Sequence, residues 1–506
     1  MTMGLREHCY IPKPKQGVQS VKRTDQRMIK RGLFCMAFFL IYLGAVSLLN
    51  AQENPMMPPI MEGQKRPCLD CHRYPNVHTD AGVYASQVFC LECHAQKECT
   101  RTVDDQIVSL QVDRASMEKG RHQYVACIQC HTDVARSPHV SEKGPECLAC
   151  HPVHGEGEDL HAPHLRVACQ ACHSVYKTVK LDPKSDQVRL AHVNDQGIPI
   201  GLTDHALQNV EDPEFCERCH HTKNKVGAPA AVLPSKGFIC ILCHHAPLRM
   251  GNPIFWIALA LFVLGVFLTV RFWFRGSVQG ESQSLHRKIA LSSESVWGVI
   301  FSREFFQIIK ALIFDVILQR RLLQESVRRW AIHSLIFLPI LFRLGLSVFT
   351  FFAYHISPES ALATALIDKN NGFVAFVNDL TGLLILVGIV WALIQRVIIK
   401  PPHILSETRD NLALAIIGVL VILGFILEGA RILMTGVPDH VSLYAFMGYP
   451  LSRLLALWDI DWTNGYVYLW YGHAVVGALL VAYLPFGKMR HIFNTPLNLV
   501  LNYKMK

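Results

Sequence analysis

The chain has 506 residues, 51% hydrophobic and only 18% charged, which excludes an ordinary soluble enzyme and a disordered protein. Its formal net charge of +9 does not mark a nucleic-acid binder, because much of the Lys and Arg flanks apolar runs. Of 17 cysteines, 14 sit in CxxCH pentapeptides, and 17 of the 25 histidines fall between Gln52 and Met250, which excludes a disulfide scaffold.

Residues 1–51 hold a basic stretch followed by the 17-residue apolar run Leu33–Leu49. The pattern reads as a signal peptide, with a well-proportioned charged region if translation starts at Met28, or as a retained signal anchor. Both readings export the chain from Gln52 onward.

Residues 52–250 carry seven motifs: Cys68/Cys71/His72, Cys90/Cys93/His94, Cys127/Cys130/His131, Cys147/Cys150/His151, Cys169/Cys172/His173, Cys216/Cys219/His220 and Cys240/Cys243/His244. CxxCH reads as c-type haem attachment, in which two thiols bond the porphyrin and the adjoining His binds the iron. A single copy could be a zinc half-site or a redox dithiol. Seven copies in one segment predict seven haem c groups. So little chain per haem leaves no separate apolar core, so the porphyrins are expected to be the core, wrapped by short helices and loops. The repeat His-x-x-Val-Ala-Cys-x-x-Cys-His begins at His122 and again at His164. Each leading His is expected to reach a neighbouring iron. With His221 and His245, which directly follow motif histidines, they head the candidate second ligands. His78 and His139 come next, and His154, His161, His192 and His205 complete the supply. Two imidazoles close an iron and favour electron transfer over substrate chemistry. Cys99 reads as a thiol with no assigned role.

Five apolar spans follow, at 253–274, 331–354, 373–398, 411–432 and 466–485, each long enough to cross a bilayer. Eight Lys/Arg lie in 276–330, eight in the first 31 residues and four after Pro485, against one each in 355–372 and 433–465. The positive-inside rule then puts the CxxCH segment on the periplasmic side of a bacterial inner membrane and the C terminus in the cytoplasm. Covalent haem attachment takes place on that same outer side. Val296, Trp297, Ile300, Phe301, Phe305, Ile308, Ile309, Leu312 and Ile313 recur at helical spacing. They predict an interfacial helix on the lipid surface, or a docking face for a cytoplasmic partner. The expected division is a leader (1–51), a haem domain (52–250), a first membrane helix (251–275), a cytoplasmic segment (276–330) and four more membrane helices (331–506).

Ionisable residues inside membrane spans are costly and point to function. His333 starts the second span, His473 lies near the outer start of the fifth, and His491 follows its inner end. On one continuous helix His473 and His491 would lie about 27 Å apart on the same side, bringing His491 to the depth of His333. Two imidazoles at one depth on facing helices make a clamp for haem b.

The last 255 residues resemble the gamma-subunit family of respiratory nitrate reductase. The matching pieces are Arg329-Trp330-Ala-Ile-His333, Asp379-Leu-Thr-Gly382-Leu-Leu, Gly424-Phe-Ile-Leu-Glu428-Gly-Ala-Arg431, and His473 through Pro485-Phe-Gly-Lys488-Met-Arg-His491 to Pro496. The resemblance implies a five-span dihaem cytochrome b that exchanges electrons with quinol, with His333 and His491 holding the inner haem. It implies an outer haem on His473 and a second His ten residues after the first, where this chain has Arg343. One haem b is therefore expected and a second left open. His355 could replace the missing ligand, or Arg343 could hold a propionate or a quinone oxygen.

The expected fold is membrane all-α, a loop-rich periplasmic heptahaem cytochrome c domain fused to a five-helix transmembrane cytochrome b bundle. The expected function is oxidation of menaquinol or another quinol near the outer face, with electrons passing to a periplasmic redox protein. Such a chain is a quinol dehydrogenase, a cytochrome c reductase or a subunit of one. Asp379, Glu428 and His473 are the candidate bases for the two protons released, although Asp379 and Glu428 could instead pair with Arg343 or Arg431. Two rivals stand beside this reading. One is an electron-relay subunit with a cytoplasmic iron–sulfur partner. The other is a periplasmic nitrite or hydroxylamine reductase, which needs an open iron and is disfavoured by the surplus of His.

Overall fold

The computed structural model describes residues 79–496 apart from 104–105, 135–144, 152–163, 175–177, 183–185, 192–206, 208–213, 235–236, 245–251, 277, 279, 303–304, 358–359 and 400–407. The leader, the first motif (Cys68, Cys71, His72) and His78, His139, His154, His161, His192, His205 and His245 lie outside the described residues.

In the CxxCH segment the longest described helix is α1 (Asp80–His94), capped by Thr79, whose Oγ1 accepts from Gly82 N at 3.2 Å. Its last turns are the second motif, Cys90 to His94. Later motifs open or occupy single helical turns at Cys127–Cys130, Cys147–Ala149, Cys169–His173, Glu214–Glu217 and Phe238–Leu242. A helical turn sets residues three apart on one face, which is the placement that two thiols of one motif require. The CxxCH segment also forms two antiparallel hairpins that were not expected: β1–β2 (Thr100–Val103, Gln106–Ser109) and β3–β4 (Val179–Asp182, Gln187–Leu190). Thr100, Thr102, Val103, Ile107 and Val108 supply the β-branched residues that favour the first of them.

Among the described residues five helices are long and apolar enough to cross a membrane, and the chain is a multi-pass membrane protein. These are α2 (Pro253–Trp273), α3 (Val327–Ile356), α4 (Gly372–Leu393), α5 (Thr408–Thr435) and, after the short α6 (Gly448–Leu455), α7 (Trp462–Tyr483). Side-chain caps start four of them: Asn252 with Pro253 in the first turn, Ser326, Asn371 and Asp461. Helix α3 packs on α4, α4 on α5, α5 on α6 and α7, and α7 on α2. Ile385, Ile389 and Ile417 form one buried cluster between α4 and α5, with Ile336 and Ile340 of α3 against it. Trp256, Leu261, Leu264 and Phe267 of α2 are exposed, as a lipid-facing stripe requires.

Two expectations are corrected here. Helix α7 does not run on to His491: it ends at Tyr483, and a turn and the 3-10 segment Lys488–Arg490 precede a new helical stretch at His491. Pro485, which has no N–H to donate, stops the helical ladder. The stretch 296–313 is also not one helix. It divides into Leu285–Ile300, Phe305–Ala311 and the π-helical turn Leu312–Ile317. Ser302, a residue that favours turns over helix interiors, sits at the first break. Trp297, Phe301 and Phe306 are nevertheless exposed, as an interfacial face requires.

The CxxCH segment packs on the end of the bundle formed by the loops poor in Lys and Arg. Lys223 N donates to Thr463 Oγ1 at 2.9 Å, and Ala230 N to the Thr463 carbonyl at 2.8 Å. Arg166 bridges Asp186 and Asp368, both at 3.0 Å. Asn370 donates to Asp186 at 3.0 Å and accepts from Arg431 at 2.6 Å. Burial pushes the Asp186 carboxyl above its ordinary value, against the pull of Arg166 and Asn370.

Candidate functional site

Two histidine pairs mark the two ends of the bundle. The first is His333, on the second turn of α3, and His491, which the break after Pro485 delivers to it. Their ring centroids are 6.1 Å apart with planes at 59°. A metal–imidazole bond of about 2 Å on each side of one iron puts two ring centroids about 6 Å apart. The pair is therefore spaced as haem ligation requires. His333 Nδ1 is buried with no hydrogen-bond partner, which suits a ring whose bonding is reserved for a metal.

The second pair joins the two halves of the chain. His473 of α7 faces His244 of the last CxxCH motif, with ring centroids 6.1 Å apart and planes at 58°. The Leu420 carbonyl lies near the His473 ring, but no hydrogen bond is completed at its buried Nδ1. The motif reaches this depth because the turn Phe238–Leu242 wedges against α3 and α7. Ile239 and Cys240 pack with Phe255 and Ala258 of α2 and with Ala474 and Ala478 of α7. A Cβ at Gly237 would lie 2.7 Å from the Phe255 ring, so only glycine permits this approach. Arg343 donates to Asn378 Oδ1 at 2.9 Å and lies in electrostatic range of both Cys243 and His473. His355 is corrected as the substitute ligand. It is exposed at the far end of α3, its Nδ1 donates to the Phe351 carbonyl at 2.9 Å, and its ring lies on Phe351.

Asp379 is fully buried, and its Oδ2 accepts from Met447 N at 2.6 Å and Gly448 N at 3.2 Å. It thus caps α6, while Glu428, the other carboxyl of that alternative, lies in electrostatic range of Arg431 and Arg343. Glu428 lies beside Asp379 and beside Gly448, where an added Cβ would meet Glu428 Cγ at 2.7 Å. The two carboxyls form one buried acidic pair beneath the α6 turn.

The second to sixth motifs neighbour one another in chain order. Cys90 lies beside Cys127 and Cys147 beside Cys169. Cys130 lies near Cys150, and Cys172 near Cys216 and Cys219. Both leading histidines of the repeat meet a motif histidine. His122 Nε2 is 3.4 Å from His151 Nε2, and the His164 and His220 rings are 6.2 Å apart. His220 Nδ1 donates to the Pro229 carbonyl at 2.8 Å, which orients its other nitrogen outward. Burial pushes His220 below its ordinary value, leaving a neutral ring with a lone pair for a metal. His94 Nδ1 donates likewise to the Leu110 carbonyl at 2.9 Å, with the half-buried Cys99 Sγ 3.8 Å away.

Among the motif thiols, Cys93, at the end of α1, and Cys150 are exposed. Cys93 joins none of the thiol contacts among the described residues. His131 was expected as an iron ligand. It is half-buried and closes the turn Cys127–Cys130, its N–H donating to the Cys127 carbonyl at 2.9 Å. Among the described residues no group of three or more His, Cys, Asp or Glu is gathered to hold a bare metal ion. His221 is exposed and bonds the Thr222 carbonyl, with no imidazole opposite it among the described residues.

Sequence reasoning missed the facing of His244 and His473 and the part played by Asn378. Neither leaves a local signal, since 229 residues of chain separate the two histidines.

Residues 333–505 match the family described as nitrate reductase gamma subunit. A relative from Methanosarcina thermophila, named as a subunit of dihydromethanophenazine:CoB–CoM heterodisulfide reductase, is 24% identical over 256 residues, 49% of this chain and 88% of the relative. The proteins of the same name from Methanosarcina acetivorans and Methanosarcina barkeri are each 25% identical, over 256 and 255 residues, again 49% of this chain and 88% of theirs. No solved structure matches the chain.

Proposed function

We propose that the chain is a membrane cytochrome that transfers electrons between a quinol pool and a redox protein on the outer side. It would be a quinol dehydrogenase of the menaquinol:cytochrome c type, with haem b in the bundle and seven haem c groups in the CxxCH segment. The observation that supports this reading is the run of neighbouring CxxCH motifs from the second to the sixth, together with the seventh, whose turn packs on α3, the helix that carries His333. Haem bound at these sites supplies reversible one-electron carriers, tuned by their axial ligands and burial.

The residues of the chain do the rest. His333 and His491 would hold the b haem, and the motif thiols and histidines would hold the c haems. Oxidation of a quinol to a quinone releases two electrons and two protons. The Glu428 and Asp379 carboxyls take up and pass on those protons, with Asp379 Oδ1 the available acceptor while Oδ2 stays engaged to α6. Arg343 holds a quinone oxygen or a haem propionate, both acceptors suited to a guanidinium. The loop charges orient the CxxCH segment outward and the C terminus inward.

The relatives are named as subunits, and Trp297, Phe301 and Phe306 present an uncovered aromatic face. These favour a second reading, a relay subunit docked to a cytoplasmic iron–sulfur partner through residues 276–330. Mixing the detergent-purified chain with a reduced quinol decides between them. Rapid haem reduction by the chain alone supports the quinol dehydrogenase; reduction only when a partner is restored supports the relay. Protease added to intact spheroplasts is expected to cut within 52–250 and to spare 276–330.

A further inference from the structure

The family position that would pair with His473 is Arg343, a guanidinium that stays protonated and cannot bind iron. Yet His473 does face an imidazole, at the spacing shown by the His333–His491 pair: 6.1 Å between centroids in each case. That imidazole belongs to the motif whose thiols would anchor a haem. Cys240 of this motif and Ala474, the residue next to His473, pack against the same buried cluster, and Cys243 lies near Arg343.

We infer that His473 is the second axial ligand of the c haem attached at Cys240 and Cys243, with His244 as the first. The inference rests on the haem-attachment reading of the seventh motif. It assigns the outer membrane site to a covalent haem that belongs to the CxxCH segment, so that no second haem b is required. It also removes His473 from proton chemistry, since a ring nitrogen bonded to iron is no longer a base. Arg343 acquires a role that a histidine there could not fill. Its buried Nε has no hydrogen-bond partner, and a haem propionate beside Cys243 and His473 would supply one.

The test uses the full-length chain, purified in mild detergent from a host that attaches c haem. Mass spectrometry of the Cys240→Ala/Cys243→Ala variant is expected to show one covalent haem fewer than the wild type. If the count does not fall, the attachment reading fails, and the inference with it. His473→Ala is then expected to keep every covalent haem and the full extractable haem b. One haem equivalent should change from low-spin to high-spin in the electron paramagnetic resonance spectrum, and added imidazole should restore it. The high-spin signal should vanish when His473→Ala is combined with Cys240→Ala/Cys243→Ala. His473→Met, a substitution that keeps a ligand, is expected to stay low-spin and to raise the potential of one c haem in a redox titration. Loss of one equivalent of extractable haem b in His473→Ala would overturn the inference, and so would an unchanged spin state.

Discussion

The bundle and the CxxCH segment present histidine pairs at the same spacing from opposite kinds of scaffold. His333 and His491 stand 6.1 Å apart on or beside long capped helices, whose buried isoleucines fix their positions. His164 and His220 stand 6.2 Å apart on turns of a few residues, with little buried apolar surface near them. The comparison teaches where stability comes from in each half. In the bundle, packing creates the site and a haem would fill it. In the CxxCH segment few of the described apolar residues are buried, and under the proposed function a group held by the motifs would supply the core.

The largest expected effect breaks this contrast directly. When covalent haem attachment is blocked in the expression host, residues 79–244 should be digested by added protease within minutes, while the five membrane helices survive. Survival of the CxxCH segment under those conditions would show that it folds on apolar burial after all. Next in size, His333→Ala or His491→Ala should abolish the b-type signal in a pyridine haemochrome assay and leave the covalent haem count unchanged. Asp379→Ala sharpens the account of the bundle by leaving the Met447 and Gly448 N–H groups buried without an acceptor. At ~1–3 kcal/mol for each group, thermal unfolding in detergent should fall by several degrees, and Asp379→Asn, which keeps an acceptor, should fall less. The smallest effect is expected at the seam. Arg166→Ala removes two ion pairs of a one-third-exposed side chain, for a loss of about 1 kcal/mol or less that diminishes further in high salt.

Much of the fold was legible because membrane spans announce themselves by length and apolarity, and all five expected spans are present. The CxxCH motifs were legible because their chemistry is local in sequence. The His333–His491 pair was found through depth, although the continuous helix assumed between His473 and His491 is interrupted at Pro485. The hairpins at 100–109 and 179–190 escaped notice because four-residue strands carry too few alternations to register as a pattern. The capping of α6 by Asp379 escaped for another reason. A carboxylate inside a span looks catalytic or ion-paired, and nothing near it in sequence reveals the backbone donors at 447 and 448. His244 and His473 illustrate the general limit, since facing pairs between distant segments are fixed by tertiary packing alone.

The seam between the halves has a kinetic consequence. Only eight residues lead from His244 to Asn252, a reach of at most about 28 Å at ~3.5 Å per residue, and the contacts of Thr463, Arg166 and Asn370 shorten the excursion further. Donor and acceptor sites so tethered meet without a diffusive search, at an effective concentration of the order of millimolar or above. Exchange across the seam should therefore be first order, indifferent to protein concentration and ionic strength. The hand-over to a separate redox partner should remain second order and slow as salt screens the encounter.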